Sequence, residues 1–455
     1  MDSRINSKRI KALNEEKPNS EGKYVLYWMQ QSQRATFNHA LEHAVEYANA
    51  LEMGLIVGFA LMEDYPDATQ RAYAFMLEGL EETAATLHDR GIKFVLQLGE
   101  PVKVIKKLAQ EAALVVTDRG YLRHQKQWRK ELAQQLEIPV IQVETDAIVP
   151  VEVASDKREY AARTIRPKLM EQYQDFLAPL RASQPSISSL SYGVKGEDHQ
   201  NLLGLLDKLS IGDAVPKAEQ FKAGTKAAQQ TFRSFLDNKL SEYDDHRNQP
   251  QTNKVSHMGM YLHFGQISPV WLAQQIEKKY STEDTESYLE ELLVRRELAI
   301  NFVHYTDNYD NFDCLPDWAL ETLQEHDEDK RPHSYTRAEL EEGNTHDPLW
   351  NAAMQQMKQL GYLHNYMRMY WGKKILEWSS SSSYAYKTAL YLNNKYFLDG
   401  RDCNSYANVA WVFGLHDRAW QEREVFGKVR IMTLDGLKKK FDWEAYLEKV
   451  EQNKP

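Results

Sequence analysis

Over the first 150 residues, short apolar runs alternate with longer stretches of mixed polarity. KYVLYWM (Lys23–Met29), LIVGFALM (Leu55–Met62), KFVLQLG (93–99), ALVVTD (113–118) and PVIQVET (139–145) are dense in branched and aromatic residues, which predicts buried strands. Helical patterns fill the intervals 36–53, 68–90, 101–112 and 121–136. Five such runs separated by helices predict a doubly wound parallel sheet with crossover helices, so residues 23–150 are expected to form an α/β domain.

Beyond residue 150 the pattern changes twice. Residues 151–225 carry a charged segment, SDKREYAARTIRPKL, and a turn-rich one, SQPSISSLSYG, with few long apolar runs, which predicts an interdomain linker wrapping the surface. From residue 226 to 455 apolar positions recur every three or four residues, at 226–240, 269–280, 284–302, 348–360, 364–378, 383–395 and 435–450. The second half is therefore expected to be all-α. Residues 1–22 read as a polar tail, no internal repeat is present, and the only low-complexity tract is Ser379–Ser383.

Charge and composition narrow the chemistry. A net charge of -10 argues against a general polyanion binder, so any nucleic-acid site must be a local basic patch. The 25 Tyr, 15 Phe and 10 Trp suit stacking on planar ligands, although large helical cores use aromatics too. Cys314 and Cys403 have no His or Cys at metal spacing, so neither a disulfide framework nor a metal site is expected, and a reducing cytoplasm is the expected compartment. No run of about 18 apolar residues, no apolar leader, no GxGxxG and no GxxxxGK[ST] occurs, so membrane insertion and the common nucleotide loops are not expected.

Residues 345–378 concentrate the local signals. Asp347 is placed to cap a helix that starts with Pro348 and ends at Gly361. On the next helix Arg368, Trp371, Ile375 and Trp378 recur at spacings of three and four, so an arginine shares a face with two indoles. Such an arginine requires an anionic partner, for which Asp399 is the candidate. Spacing alone leaves open whether this face is an aromatic core with a structural ion pair or the wall of a ligand site.

Four further stretches carry polar chemistry. YDDHRNQP and VSHMGMYLHFGQISP (243–250 and 255–269) suit a phosphate loop or an ordinary interhelical connection. On the helical stretch 288–305, Glu291 and Arg295 stand four apart, which reads as a surface ion pair or as a polar contact to a ring substrate. Asn393, Asp399, Asp402, Asn404 and Asn408, with Trp411 and Trp420, suit a polyol chain or a solvated loop with caps. Lys428 and Arg430 follow this aromatic-rich segment, as expected of phosphate contact beside a stacked base. In the N-terminal half, GYLRHQKQWRK (120–130) reads as a solvated basic face or as a cofactor edge.

The strings YWMQQSQR, SDKREYAARTIRPK, HFGQISP, ELLVRRELAINF, THDPLWNAAMQQ, MRMYWGKKILEW, LDGRDCNSYANVAW and HDRAWQEREVFGKVRIM resemble the photolyase and cryptochrome superfamily, specifically the class II cyclobutane pyrimidine dimer photolyases. The resemblance spans nearly the whole chain and is weakest between 180 and 240. It implies an α/β antenna domain and a helical domain holding U-shaped FAD, active when reduced, with a deazaflavin or folate as a possible antenna. Excited FAD would lend an electron to a thymine dimer flipped out of UV-damaged DNA. A monomer is expected.

Residue by residue, the resemblance gives Glu291 as the lesion-contacting carboxylate, with Trp411 packing on the dimer and Tyr366 and Met369 lining the same pocket. Arg368 and Asp399 would pair beside the isoalloxazine, Asn393 would face flavin N5, and Asp402 and Asn404 would lie in the same FAD site. Tyr243, Arg247, Ser256, Met258 and Gly259 fall where the family holds the FAD phosphates and ribityl chain. Trp371 and Trp350 resemble the electron-transfer pair, with Trp378 and Tyr335 auxiliary. Trp411, Trp420, Lys428, Arg430 and Arg295 would meet DNA. Many photolyases have a lesion-stacking tryptophan one turn beyond the glutamate; here Val294, Arg295 and Arg296 stand there, so Arg295 would contact DNA phosphate or FAD.

A cryptochrome-like sensor without repair is the alternative; the short segment after Met432, with no long signalling tail, and the presence of Glu291, Trp411 and Asn393 argue against it. Repair of the (6-4) photoproduct would call on His257, His263 or His364.

Overall fold

The computed structural model describes residues 3–211 and 215–452. Residues 1–2, 212–214 and 453–455, which belong to the expected tail, linker and helical domain, lie outside the described residues.

Six strands, β1 (Ile10–Ala12), β2 (Tyr24–Trp28), β3 (Gly54–Leu61), β4 (Lys93–Leu98), β5 (Ala112–Asp118) and β6 (Val140–Val143), form one sheet in the order β1-β6-β5-β2-β3-β4. The last five strands pair in parallel. Side chains alternate across the sheet. Val25 and Tyr27 thus pack with the helices His39–Ala50 and Gln70–Asp89, while Leu26 and Trp28 pack with Pro101–Ala109 and Arg123–Gln135. Strand order reverses at β2, between β5 and β3, which opens a crevice beyond the carboxyl ends of these strands.

Part of the expected tail is structured. Ile10–Ala12 runs antiparallel to β6, with Ile10 opposite Val143. The strand has almost no buried side chain, so it leaves no apolar pattern to read; the unpaired backbone edge of β6 recruits it. Arg9, buried, ties it down by donating to the carbonyls of Glu144, Ala147 and Ile148.

Within 151–225 the longest helix among the described residues is Ala162–Tyr173, whose apolar side packs into the helical domain. Farther on, the chain covers the outer edge of β4: the Glu197 amide donates to the Leu96 carbonyl at 2.8 Å and Gln97 Nε2 donates to the Lys195 carbonyl at 2.7 Å.

In the helical half, Asp347 Oδ1 accepts from the amides of Leu349 and Trp350, Pro348 opens the helix, and Gly361 ends it with φ 63°. Three expectations are corrected. The stretch 435–450 is two helices, Leu434–Lys438 and Trp443–Gln452. The polar run after Asp399 contains a helix, Cys403–Val412, capped by Asp402. Between Glu283–Leu289 and Arg296–Tyr305 the chain makes a π-helical turn, Glu290–Arg295.

Buried polar ties join the two halves. Arg296 donates to the Asp146 carbonyl and pairs with its carboxylate at 3.1 Å, and Arg34 donates to the Gly265 and Thr145 carbonyls. Glu297 accepts the amide hydrogen of Val149; burial pushes its carboxyl pKa up to about 8.

Candidate cofactor cleft and its aromatic wall

A cleft in the helical domain is lined by Tyr243, Arg247, Ser256, Met258, Gly259, Glu291, Arg368, Asp399 and Asn404. These side chains come from five separate segments, so only tertiary packing assembles them.

The π turn decides where Glu291 goes. Its backbone bonds span five residues, which shifts side chains four apart out of register. Glu291 pairs with Arg247 at 2.6 Å, and Arg295 pairs with Glu290 at 3.1 Å. The expected Glu291–Arg295 pair is therefore not formed. Burial works against the charge on Arg247, but Glu291 and Tyr243 outweigh it and hold the guanidinium pKa above its ordinary value.

Arg368 has its anionic partner. Its Nη1 and Nη2 stand 3.0 Å from Asp399 Oδ1 and Oδ2, its Nε donates to the Leu363 carbonyl at 2.8 Å, and its guanidinium lies 4.0 Å over the Phe397 ring. Oδ2 receives an aligned hydrogen bond, whereas Oδ1 has no aligned donor among the described residues. That oxygen keeps acceptor capacity for a ligand N–H. A Cβ on Gly259 would stand 2.8 Å from Asp399 Oδ2, so only glycine lets the backbone approach this carboxylate. His257 is held at φ 57°, and its buried Nδ1 has no partner among the described residues. Orphan polar atoms in a cleft that admits close backbone approach fit a polar, planar ligand such as a flavin nucleotide.

Asn393 and Asp402 stand behind this wall and are not among its lining residues. Asn393 Nδ2 donates to Asn394 Oδ1 and Ser405 Oγ, and Ser405 Oγ donates to the Asp399 carbonyl at 2.8 Å. Asp402 accepts from the Ser405 amide at 3.0 Å, and burial raises its carboxyl pKa to about 7. Both residues fix the segment carrying Asp399. Sequence reading gave no site role to Tyr362, Asn248 or Arg296, which also line the cleft; loop position and an ordinary helical spacing gave no signal for them. Burial lowers the pKa of His257 to about 4 and of His364 to about 3, and holds that of His263 well below its usual value. All three imidazoles are neutral at pH 7 and make poor acids.

From the cleft an aromatic series runs outward. Phe397, beneath Arg368, lies 6.2 Å from Trp371. Trp350 Nε1 donates to the Trp371 carbonyl at 3.1 Å, and the Trp350 ring lies 5.8 Å from Trp378. Tyr335 follows 5.6 Å from Trp378. The three indoles are buried.

Trp411 is partly exposed, 5.4 Å from the Lys373 ammonium and 6.0 Å from the Arg430 guanidinium. Arg430 also lies 5.1 Å from Trp420, which is 38% exposed. Lys428 and Arg295 are solvent-facing and belong to surface ion pairs with Glu422 and Glu290. Tyr366 meets Phe441 edge-on at 6.1 Å, and Met369 stands one turn before Lys373 on the same helix. Tyr366, Met369 and Trp411 lie outside the cleft lining.

A second cavity lies at the carboxyl ends of β2 and β3, lined by Trp28, Phe59, Met62, Tyr65, Gln125 and Trp128, and closed by His263 and Arg401 of the helical domain. Gln125 and Trp128 come from the GYLRHQKQWRK segment, whose cofactor-edge reading thus has a cavity beside it. Among the described residues no three His, Cys, Asp or Glu side chains group as metal ligands, and no helix is long and apolar enough to cross a membrane.

Residues 25–186 match the family model described as DNA photolyase. A deoxyribodipyrimidine photo-lyase of Methanothermobacter thermautotrophicus is 48% identical over 98% of this chain and 98% of its own length. Relatives of the same description from Potorous tridactylus and Arabidopsis thaliana are each 37% identical, across 98% and 94% of this chain and 85% and 88% of theirs. Among solved structures, a class III photolyase from Agrobacterium tumefaciens superposes with a TM-score of 0.73 at 19% identity, over 94% of this chain and 86% of that one. A cryptochrome from Synechocystis sp. PCC6803 also gives 0.73, at 14% identity, over 94% of this chain and 89% of that one. At these identities the structural likeness concerns the fold.

The chain belongs to the DNA photolyase family. Its enzyme class is that of the deoxyribodipyrimidine photo-lyases.

Proposed function

We propose that the protein repairs cyclobutane pyrimidine dimers in UV-damaged DNA by the class II route, with FAD held in the cleft beside Arg368 and Asp399. Bound FAD, reduced and excited by light, supplies the electron that opens the cyclobutane ring and receives it back. Asp399 offers its spare acceptor to a ring N–H, and Arg368 holds that carboxylate in place. Ser256, the amides around Met258 and Gly259, and Asn404 hold the polar chain of the cofactor. Glu291 hydrogen-bonds the pyrimidine ring of a dimer flipped out of the helix, and Trp411 packs on it. Arg430, Lys428 and Trp420 hold the flanking strand by charge and stacking. Asn393 acts through Ser405 and Asp399, and the antenna cavity takes a planar chromophore, a deazaflavin or a folate.

The observation that carries this reading is the Arg368–Asp399 pair at the cleft with the series Trp371, Trp350, Trp378 and Tyr335 leading away from it. Such a series lets electrons reach the cleft from the surface, which an ordinary flavin site does not need. The test is dimer content of UV-irradiated DNA incubated with the reduced, FAD-loaded protein in light and in darkness. Loss of dimers only in light is expected; no light-dependent loss with full flavin occupancy would leave a flavin-binding sensor instead. A single protomer is expected to suffice, acting in the cytoplasm.

A further inference from the structure

The outer end of the tryptophan series is built around a tyrosine and a histidine. Tyr335 lies 5.6 Å from the Trp378 ring, and its amide donates to the Trp378 carbonyl at 3.0 Å. Its hydroxyl stands 2.8 Å from His346 Nδ1. The backbone N–H of His346 donates to the same phenolic oxygen at 3.1 Å. One lone pair of the oxygen is thereby occupied, and in the tautomer with Nδ1 unprotonated the phenol's single hydrogen is directed to Nδ1. The His346 ring also touches Trp378, at 5.1 Å, and His333 stacks on its other side at 3.6 Å. Trp378 is buried, whereas both histidines are exposed.

A phenol that loses an electron becomes very acidic, so a tyrosine gives up an electron at accessible driving force only where a base takes its proton in the same event. The base must lie within hydrogen-bond reach and be unprotonated beforehand. His346 satisfies the distance. Partial burial and the neighbouring His333 lower its pKa, with Lys374 acting the same way and Asp347 and Glu377 opposing, so the ring is neutral and free to accept.

We propose that His346 is the proton acceptor that makes Tyr335 the terminal electron donor of the series; this rests on the electron-transfer reading above. When Trp378 has lost an electron inward, one electron passes from Tyr335 to the Trp378 radical cation. The O–H bond of Tyr335 breaks as an N–H bond forms at His346 Nδ1. Trp378 is restored as a neutral indole, Tyr335 becomes a neutral radical, and His346 becomes an imidazolium that releases a proton to water. The return electron then requires that proton back, which holds the charge separation open.

The test is transient absorption of the FAD-loaded protein after a blue flash, in H2O and D2O. In the parent protein the tryptophan radical signal should give way to a tyrosyl signal, more slowly in D2O. In His346→Phe the tyrosyl signal should be lost and the tryptophan radical should persist, as in Tyr335→Phe. Imidazole added to His346→Ala should restore it. Nitrogen NMR should find Nδ1 of His346 unprotonated in the resting protein, independently of any flavin chemistry. A tyrosyl signal and D2O effect unchanged in His346→Phe would overturn the proposal, as would a protonated Nδ1. If the parent protein shows no tryptophan radical at all, the electron-transfer reading itself falls; if it does and His346 is indifferent, this inference alone falls.

Discussion

Glu291 Oε1 accepts a hydrogen bond from Arg247 Nη2 at 2.6 Å, joining a π-helical turn to the end of the short helix Tyr243–His246 across the cleft. The carboxylate is therefore positioned before any lesion arrives. Glu291→Ala is expected to lower the dimer-splitting rate roughly ten- to a hundredfold, the scale of one charge-assisted hydrogen bond of roughly 1.5–3 kcal/mol. Flavin content, read from absorbance per protomer, should change far less. An equal loss of both would assign Glu291 to cofactor retention.

Trp371→Phe should abolish photoreduction of oxidised flavin and leave repair by chemically reduced enzyme intact. The ring is nearly fully buried, and its Nε1 donates to Met354 Sδ at 3.2 Å, so some stability is lost, on the order of 1–3 kcal/mol for a large-to-smaller core change. Thermal unfolding measures that cost separately. Loss of repair as well as photoreduction would mean that Trp371 serves packing alone.

Lys373 sets a pH signature. It is fully buried, bonded to the Val412 carbonyl, and burial brings its pKa down from 10.5 to about 7, with Asp417 opposing and Arg430 reinforcing. Between those two values the unfolded chain binds a proton that the folded protein releases. Stability should therefore rise with pH from about 7 toward 10.5, and the penalty should be fully present below about 7. Lys373→Met should flatten this slope in denaturant titrations, gaining on the order of a few kcal/mol near pH 6. A slope that survives the substitution would place its origin elsewhere.

Arg430 sits between two indoles, 6.0 Å from Trp411 and 5.1 Å from Trp420. Arg430→Ala should weaken binding to damaged and undamaged DNA alike and reduce the salt dependence of log K by about one phosphate's worth. Binding isotherms at several salt concentrations check this. Weaker binding to the lesion alone would assign Arg430 to the dimer pocket.

Of these features, some were legible in the chain. The alternation of apolar runs predicts five parallel strands because burial on both faces leaves an unmistakable pattern, and Asp347, Pro348 and Gly361 predict one helix end to end because capping is local chemistry. The need of Arg368 for an anion was readable from charge on an apolar face, and Asp399 meets it.

Other features have no local signature. The edge strand Ile10–Ala12 depends on an open backbone edge more than 120 residues away in sequence. The π turn at Glu290–Arg295 looks like any helix in sequence, yet it exchanges the ion-pair partners of Glu291 and Arg295. His346, for which the sequence offers no role, becomes chemically interesting because Tyr335 and Trp378 are folded against it.

The sequence by itself determined the strand and helix pattern, the acidic balance with basic residues held to patches, and the long motifs that mark the family, all of which reside in neighbouring residues. Only the tertiary structure decided which carboxylate meets which guanidinium, that Asn393 and Asp402 stand behind the cleft wall, and that the indoles of the 345–378 stretch run in series to a tyrosine at the surface. Those are distances between segments far apart in the chain, and they are set by packing, which no local pattern encodes.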